Sequence, residues 1–403
     1  MRGGKIGRRL FIKTKSFDLL NLSVYSIAHF TVDFSCAFLL FRLVHINAIP
    51  NERVVFTFIL YNCLAFGLEF LIGLFFNART ARFAATIGEL LLATGLLCGM
   101  SVASDFACGK NSFDALAVDS ISLLDARYSW RLALACVFVG VGNAFFHVGG
   151  GIDSLARSDE RYWRSGVFIS TGALGLALGM YFGDDVESGL SFAHVFVMTI
   201  ISAGIIWFFC KNTVPYSQTE LKLEQRALKS EKMVSNSSGW AVFALLFVIF
   251  SRSVVGFAAP EIWSVKSLST FSGISLAVAA FLGKFLGGFA ADISDAKAYG
   301  VLALIAAVPF LEFSSSPALF WIGVLLLNST TAITLSAVAR KCGNLVGFAF
   351  GLTTLALLAG FFAYDWLSRL LERYDCLVAV NGLLSIMTVA SAVVLAFSIK
   401  KYE

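Results

Sequence analysis

The 403-residue sequence predicts an all-α membrane protein with twelve transmembrane helices in two halves of six. Three observations lead to this fold class. Hydrophobic residues make up 58% of the chain and charged residues only 14%, whereas a soluble domain carries about 25% charged residues. The apolar residues form continuous runs, without the alternating pattern of an outer-membrane barrel. Polar residues are concentrated in the segments that separate these runs, one of which is long and central.

Apolar windows of about 20 residues, the length that crosses the hydrocarbon core of a bilayer, set the limits of each predicted helix. The first window follows a basic N-terminal stretch and is too long for the hydrophobic core of a signal peptide. We therefore assign it to span one. In chain order the predicted spans are 19–43, 54–76, 83–103, 130–151, 163–183, 189–210, 239–260, 268–290, 298–314, 317–339, 344–366 and 377–399.

Most of the basic residues lie on one side of this arrangement. They precede span one, follow spans two, four and ten, and fill the connection between spans six and seven, whereas the connection 183–189 contains none. Because positively charged connections stay in the cytoplasm, both termini are expected there. The sequence thus predicts a multi-pass protein of the cell inner (plasma) membrane, with the connection 104–129 on the external side.

The longest polar connection divides the chain into two units and a linker. The N-terminal six-helix half covers 1–210, a cytoplasmic linker covers 211–238, and the C-terminal six-helix half covers 239–403. The linker is expected to join the halves, and its middle to form at most a short surface helix. We do not expect it to be a binding domain.

Two glycine-containing patterns occur once in each half. A Gly-x-x-x-Asn after span two (73–77) matches a Gly-x-x-x-Asp after span eight (288–292). Spans five and eleven both open with a glycine-rich stretch, 166–179 and 347–360. Related halves of this kind are the parallel repeat of many secondary transporters, so the pattern favours a transporter over other membrane proteins.

Several function classes find no support in the sequence. The net charge of +5 comes from the connections and the N-terminus, so it indicates topology and not nucleic-acid binding. The eight cysteines show no metal-ligand spacing, and no phosphate-binding loop or nucleophile arrangement occurs. We expect no enzymatic activity, no cofactor and no bound metal. The expected partners are a small-molecule substrate, protons and the lipid bilayer, with no nucleic acid, and the expected state is a monomer.

Over nearly its whole length the chain resembles the major facilitator superfamily, and within it the fosmidomycin-resistance-like branch. Span one reads AHFTVD and contains His29 and Asp33. Span four reads GNAFFHVGGG and contains His147, and span seven reads FSRSVVGFAAPEIW and contains Arg252. The resemblance implies the major facilitator fold, in which spans one, four, seven and ten line a central cavity.

The chain also departs from the patterns of that superfamily. Asn77 stands where the first cytoplasmic motif has aspartate, although the second copy keeps Asp292. Val148 replaces the proline that follows the histidine of span four, and Met180 replaces the proline of the motif associated with antiport. The resemblance therefore implies the fold and favours export, but it does not assign a drug as substrate.

Polar residues in the middle of the predicted spans are the candidates for function. A charged side chain at the membrane centre costs about 2.5–3.5 kcal/mol, so it needs a partner, a water-filled cavity or a function. The mid-span polar residues picked from the sequence fall on the four spans that the resemblance assigns to the cavity. They are His29, Asp33, Asn143, His147, Arg252, Asn328 and Thr330.

Asp33 is the predicted proton carrier, because a carboxyl group shielded from water can bind and release a proton near neutral pH. His29 lies one helical turn away, on the same face, and could share that proton. Glu69 in span two is the next candidate for proton coupling. The alternative is a structural hydrogen bond between His29 and Asp33.

Arg252 is predicted to bind substrate, because its guanidinium can donate two parallel hydrogen bonds to a carboxylate or phosphate. The alternative is an ion pair with Asp33 that only locks the halves together. His147 is interpreted as a ligand or gate at the cavity mouth, or as a packing residue, and the glycines after it predict the end of span four. The complete predicted substrate-binding set is Arg252, His147, Asn143, Asn328 and Thr330.

A third group is predicted to act in gating at the cytoplasmic side. Glu69 and Glu89 are expected to join charge networks there, and Lys284 to extend its ammonium group towards the membrane surface. Arg79, Asp292 and the basic turn after span four are expected to brace the outward-open state. The complete predicted gating set is Arg79, Asn77, Asp292, Lys284 and Glu89.

Taken together, these features predict a proton-coupled secondary active transporter that moves a small organic solute by alternating access, with export favoured over uptake. One alternative is proton-coupled uptake of an anionic metabolite, which Arg252, His147 and Lys284 would favour. The other is a non-transporting membrane receptor or scaffold on the same fold.

Overall fold

The structure, a computed structural model, describes residues 3–46, 49, 51–112, 121–158, 161–210, 238–266, 272–312, 316–374 and 377–399. Helices and short turns make up these residues, and no β-strand occurs among them. Each of the twelve predicted spans coincides with a helix or with two consecutive helices, which confirms the predicted fold class. The spans, in chain order, are Gly3–His45, Asn51–Gly67 with Glu69–Phe75, Ala81–Ser112, Ile121–Ala156, Trp163–Asp184, Phe192–Phe209, Ser238–Lys266, Ser272–Ile293, Ala296–Glu312, Pro317–Ser329 with Thr331–Lys341, Val346–Tyr374 and Leu377–Ser398.

Ten of these spans are long and apolar enough to cross a membrane. Span nine has 17 residues and contains Pro309, and the apolar part of span twelve is Gly382–Ser398. Helices suit these segments because lipid offers no hydrogen-bond partner to the backbone, which must satisfy itself internally. The protein is therefore a multi-pass membrane protein.

The helices extend further than the apolar windows do. Span three continues to Ser112 and span four begins at Ile121, so most of the connection predicted at 104–129 is helical. The apolar window marks only the part of a helix that suits hydrocarbon, and a helix that is already formed can propagate into polar sequence at little cost. Residues 113–120 and 211–237, which include nearly all of the predicted linker, lie outside the described residues.

Span four does not end at its three glycines, as the sequence had predicted, but continues past them. Successive residues of a helix point about 100° apart, so each glycine faces a different neighbour. Gly149 meets the backbone of span three, Gly150 meets the ring of Phe168 in span five, and Gly151 meets the ring of Phe350 in span eleven. The glycines thus let three helices approach span four closely.

The two halves pack against each other at one end of the bundle, which we call the basic end because six arginines lie in or beside its connections 76–80, 157–162 and 342–345. Gly73 of span two lies against Gly347 of span eleven, and Gly166 of span five lies against Gly288 of span eight. These four glycines belong to the patterns that the sequence repeats. The repeat therefore produces two equivalent close contacts between the halves.

Candidate functional site

Four ionisable side chains from three spans of the N-terminal half form a chain of contacts in the middle of the bundle. Asp33 Oδ2 lies 3.3 Å from His29 Nε2, and Asp33 Oδ1 lies 3.1 Å from His147 Nε2. His147 Nδ1 lies 2.9 Å from Glu69 Oε1. We call these four residues the central cluster. The sequence indicated the pair in span one, and folding adds His147 of span four and Glu69 of span two.

Span five supports the cluster with its backbone. His29 Nδ1 donates a hydrogen bond of 2.8 Å to the Phe168 carbonyl oxygen, and the two rings stack with centroids 4.5 Å apart. A Cβ on Gly172 would overlap Asp33 Oδ2 and His29 Nε2. Span five can therefore lie this close to His29 and Asp33 only because position 172 has no side chain.

The geometry allows the protons of the cluster to be counted. Each of the four contacts that the two imidazoles make, to Phe168 O, to both Asp33 oxygens and to Glu69 Oε1, requires one hydrogen. Two neutral imidazoles supply two hydrogens, and carboxylates supply none. The fully hydrogen-bonded cluster therefore holds two protons more than its form with neutral imidazoles and ionised carboxylates.

Asn143 lies beside Asp33 and not beside Arg252. Its side-chain amide nitrogen is 3.3 Å from Asp33 Oδ1, 3.0 Å from the Tyr61 hydroxyl and 3.4 Å from Cys36 Sγ. These contacts bury Asn143 almost completely. Tyr61 and Cys36 were missed in the sequence, although a tyrosine in the middle of span two is a signal of the same kind as the polar residues that were picked.

The cluster is graded in exposure. The Asp33 side chain keeps 15% of its surface accessible, His29 and His147 keep 7% and 6%, and Glu69 keeps none. Because Asp33 faces spans four and five and not lipid, its accessible surface opens inside the bundle. Asp33 is therefore the most accessible member of the cluster, and Glu69 is the fully enclosed one.

A metal ion is the other species that could bridge residues at this spacing. In the part of the chain that the structure describes, His29, Asp33 and His147 are the one such group, with ligand atoms within 4.8 Å of one another. This group could not be recognised in the sequence, because residues 33 and 147 are remote in the chain. The direct contacts of 3.1 and 3.3 Å are hydrogen-bond lengths, and we assign them to protons.

Arg252 lies in the C-terminal half and contacts span ten. Its Nη1 donates to the hydroxyl oxygens of Thr330 and Thr334, at 3.3 and 3.1 Å. Span ten is interrupted at Thr330, between its two helices. Both hydroxyls donate to backbone carbonyls of span ten and so accept from the guanidinium. Thr334 was missed, although it lies one turn beyond Thr330.

Arg252 has no carboxylate partner within the described residues. Its exposed fraction is 6%, and its polar contacts there are the two threonines. The alternative ion pair with Asp33 is absent from this conformation, since each oxygen of Asp33 already faces a histidine. A buried guanidinium therefore stands beside neutral hydroxyl groups.

The remaining substrate and gating candidates of the membrane interior occupy different places. Lys284 is half-buried and lies where span eight contacts span five, since its carbonyl oxygen is 2.8 Å from the place that a Cβ on Gly166 would occupy. Asn328 donates to the Val324 carbonyl of its own helix, at 2.9 Å, and no described contact joins it to Arg252.

Asp292 joins the halves at the basic end. Its two oxygens accept hydrogen bonds from the backbone N–H groups of Tyr162 and Trp163, at 2.8 and 3.0 Å. These groups lie at the start of span five, where a helix leaves donors unsatisfied and favours negative charge. Arg340 of span ten donates to the Tyr162 hydroxyl at 2.8 Å and lies over its ring. Span five is thus held by spans eight and ten.

Asn77 occupies the equivalent position in the first half but makes only local contacts among the described residues. Its Oδ1 accepts from the backbone of Arg79, and its own N–H donates to the Thr80 hydroxyl, both at 2.9 Å. Glu89 is fully buried and accepts a hydrogen bond of 2.7 Å from Ser202 of span six. The carboxyl of Glu89 therefore lies between two spans of one half, away from the expected charge network.

Comparison with known proteins gives matches of structure alone. No protein-family description and no curated protein matches the sequence. A structure of the major facilitator transporter FucP in the outward conformation is similar with a TM-score of 0.68 and 10% identity, over 96% of this chain and 100% of that one. An outward-facing bacterial homologue of the iron transporter ferroportin has a TM-score of 0.64 and 15% identity, over 94% and 99%. The proton:xylose symporter XylE has a TM-score of 0.63 and 12% identity, over 95% of each chain. At such identities the likeness shows that the chain has the major facilitator fold.

Proposed function

We propose that the protein is a proton-coupled secondary active transporter that moves a small organic solute by alternating access. The observation that carries this proposal is the central cluster, in which Asp33 shares each of its oxygens with a different histidine and opens to the inside of the bundle. A receptor or scaffold on this fold has no use for such a group. The proton:xylose symporter XylE, which has a similar structure, supports proton coupling by analogy.

Protons can be taken up and released by the cluster as a unit. Asp33 is faced by His29 from its own span, by His147 and Asn143 from span four, and at longer range by Lys284 from span eight. Removal of a proton leaves at least one of these contacts without its hydrogen, so the side chains must separate. Since the cluster joins spans one, two and four, a change of proton number can repack the N-terminal half.

Alternating access requires that the contacts at the basic end break and re-form. Asp292 and the glycine contacts hold that end closed, and positive charge supports its placement in the cytoplasm. We therefore assign the structure to an outward-facing state, with Asp33 reached from outside. In the opposite state, spans five and eight would separate at the basic end and expose the cluster to the cytoplasm.

The experiment uses purified protein in liposomes. A thermal-shift screen of metabolites and drugs first identifies a solute, whose accumulation is then measured under an imposed pH gradient. Asp33→Asn is expected to abolish gradient-driven accumulation and to retain counterflow exchange of the solute, because exchange needs no net proton movement. Asp365→Asn is the matched control, because that carboxylate pairs with Arg369 on the surface.

Three results would contradict the proposal. Unchanged accumulation in Asp33→Asn would remove the proton site from the cluster, and a stoichiometric metal retained by the purified protein would make the cluster a metal site. A protein that binds solutes but drives no flux would be a receptor. The direction is read from the same assay: the sequence resemblance favours export, in which solute moves against the proton, whereas uptake moves both together.

A further inference from the structure

We infer that the transported solute carries an oxyanion, a carboxylate or a phosphate, and that Arg252 and Lys284 bind it between the two halves of the bundle. This inference rests on the proposed function and names its class of substrate.

Arg252 lacks the counter-charge that a buried guanidinium needs. It is 94% buried, since its exposed fraction is 6%, and its polar partners among the described residues are two threonine hydroxyls on one of its nitrogens. A guanidinium has five N–H donors, so most of them remain for a ligand. A buried charge is stable only when it is paired, and no residue described in the structure supplies the pair.

Lys284 places a second cation in the same region. It is half-buried on span eight, and Gly283 and Gly287 of the same helix contact span ten at Leu325 and Ser329. Arg252 contacts span ten at the next residue, Thr330, so the two positive charges lie on helices that meet at this point. Asp33 does not supply the missing counter-charge, because both its oxygens are engaged by histidines. An anion that enters from the Asp33 side would relieve the repulsion and satisfy both cations. A neutral sugar or alcohol would leave both charges unpaired.

The threonines restrict how such an anion is held. Thr330 and Thr334 donate their own hydrogens to backbone carbonyls, so their oxygens can only orient Nη1 of Arg252. The other nitrogens of the planar guanidinium remain for two parallel bonds to an oxyanion. Lysine at position 252 would keep the charge and lose this geometry.

The first test needs no ligand. In empty protein, methionine at either position removes a repelling charge and keeps much of the volume, so Arg252→Met and Lys284→Met are each expected to raise the melting temperature, by at least about 2 °C. Arg369→Met and Lys297→Met are the controls, since both side chains lie outside this region and the changes are expected to leave the melting temperature unaltered. A lower melting temperature in both interior variants would show that the two cations are structural and would overturn the inference.

The second test compares anions with neutral analogues of the same shape. Wild-type protein in phosphatidylcholine nanodiscs is titrated by calorimetry with succinate against succinamide, and with glycerol 3-phosphate against glycerol. We expect at least one anion to bind at least about tenfold more tightly than its analogue, and Arg252→Lys to remove at least about tenfold of that affinity. Competition by phosphatidylglycerol, but by neither soluble anion, would identify a lipid headgroup as the source of the oxyanion.

Failure of this inference is distinguishable from failure of the proposed function. Equal binding of anions and neutral analogues would overturn the anion site and leave proton-driven transport of a neutral solute intact. The same conclusion would follow if Asp33→Asn fully restored the binding affinity that Arg252→Ala had lost. Tight binding of an anion without any gradient-driven flux would keep the site and overturn the transport function.

Discussion

The two carboxylate oxygens of Asp33 have different partners. One oxygen faces the histidine of its own helix and the other faces a histidine more than a hundred positions along the chain, with an asparagine amide beside it. Because both oxygens are engaged, any change in proton number alters at least one contact. The spacing of His29 and Asp33 predicted the first contact, but no spacing could predict the second.

Gly172 allows the cluster to be tested by a substitution that adds volume and leaves every charge unchanged. A Cβ at this position would overlap Asp33 Oδ2 and His29 Nε2, so Gly172→Ala is expected to displace the pair and to abolish gradient-driven accumulation. Overpacking of this kind costs about 1–3 kcal/mol, and some loss of thermal stability should accompany it.

The control for this prediction is Gly204→Ala in span six, where an added Cβ meets nothing within 4 Å. That variant should keep full transport and stability, because alanine is also the better helix former. If Gly172→Ala transports as well as Gly204→Ala does, the exact placement of the His29–Asp33 pair does not matter for coupling.

Span five is the element that the C-terminal half holds most directly. Asp292 caps its first turn from span eight, whereas Asn77, at the equivalent place in the other half, binds only its own turn. Both halves thus contribute the same glycine contacts, but only the C-terminal half, through Asp292, caps a helix of the other half. We expect span five and span eight to form the stronger contact of the closed basic end, and spans two and eleven the weaker one.

Asp292→Ala is predicted to open the basic end. Loss of a helix cap costs about 0.5–2 kcal/mol, and about 1.4 kcal/mol changes a conformational equilibrium tenfold. Distances between spin labels in the connections 157–162 and 294–295, measured by electron paramagnetic resonance, should show a larger population of separated spans. Asn77→Ala should leave that distribution unchanged, and an equal shift in both variants would mean that Asp292 has no special role between the halves.

The orientation of the whole molecule in the membrane is predicted by the charged residues at the two ends of the bundle. Six arginines lie in or beside the connections of the basic end, whereas all the charged residues of the turn 183–189 at the opposite end are acidic. This asymmetry predicts that the basic end lies in the cytoplasm. The outward-facing assignment of the structure depends on that placement, and so does the side from which Asp33 is reached.

Reporter fusions test the orientation. A reporter inserted in 211–238 is expected to read cytoplasmic, and one in 104–129 external, because an odd number of spans separates the two segments. If both read the same side, the count of twelve spans is wrong. If the two readings are exchanged, the count stands and the structure is inward-facing.

The fold class of this protein and the positions of its spans along the chain could be predicted from the sequence alone. Continuous apolar runs must become helices in lipid, so the apolar part of each span could be located within a few residues, and repeated glycines indicated two related halves. Local periodicity also found the His29–Asp33 pair. Residues such as Arg252 stood out because a charge in an apolar run is costly wherever the helix packs.

Which of these residues contact each other depends on how the helices pack in the tertiary structure. His147 and Glu69 join Asp33, Thr334 joins Arg252, and the end of span four lies beyond its glycines, because those outcomes depend on the rotation and depth of one helix against another. The sequence of an apolar span contains little information about its rotation or its depth, since most of its faces are equally hydrophobic. Packing at glycines settles both, and packing is a property of pairs of helices that no single stretch of sequence contains.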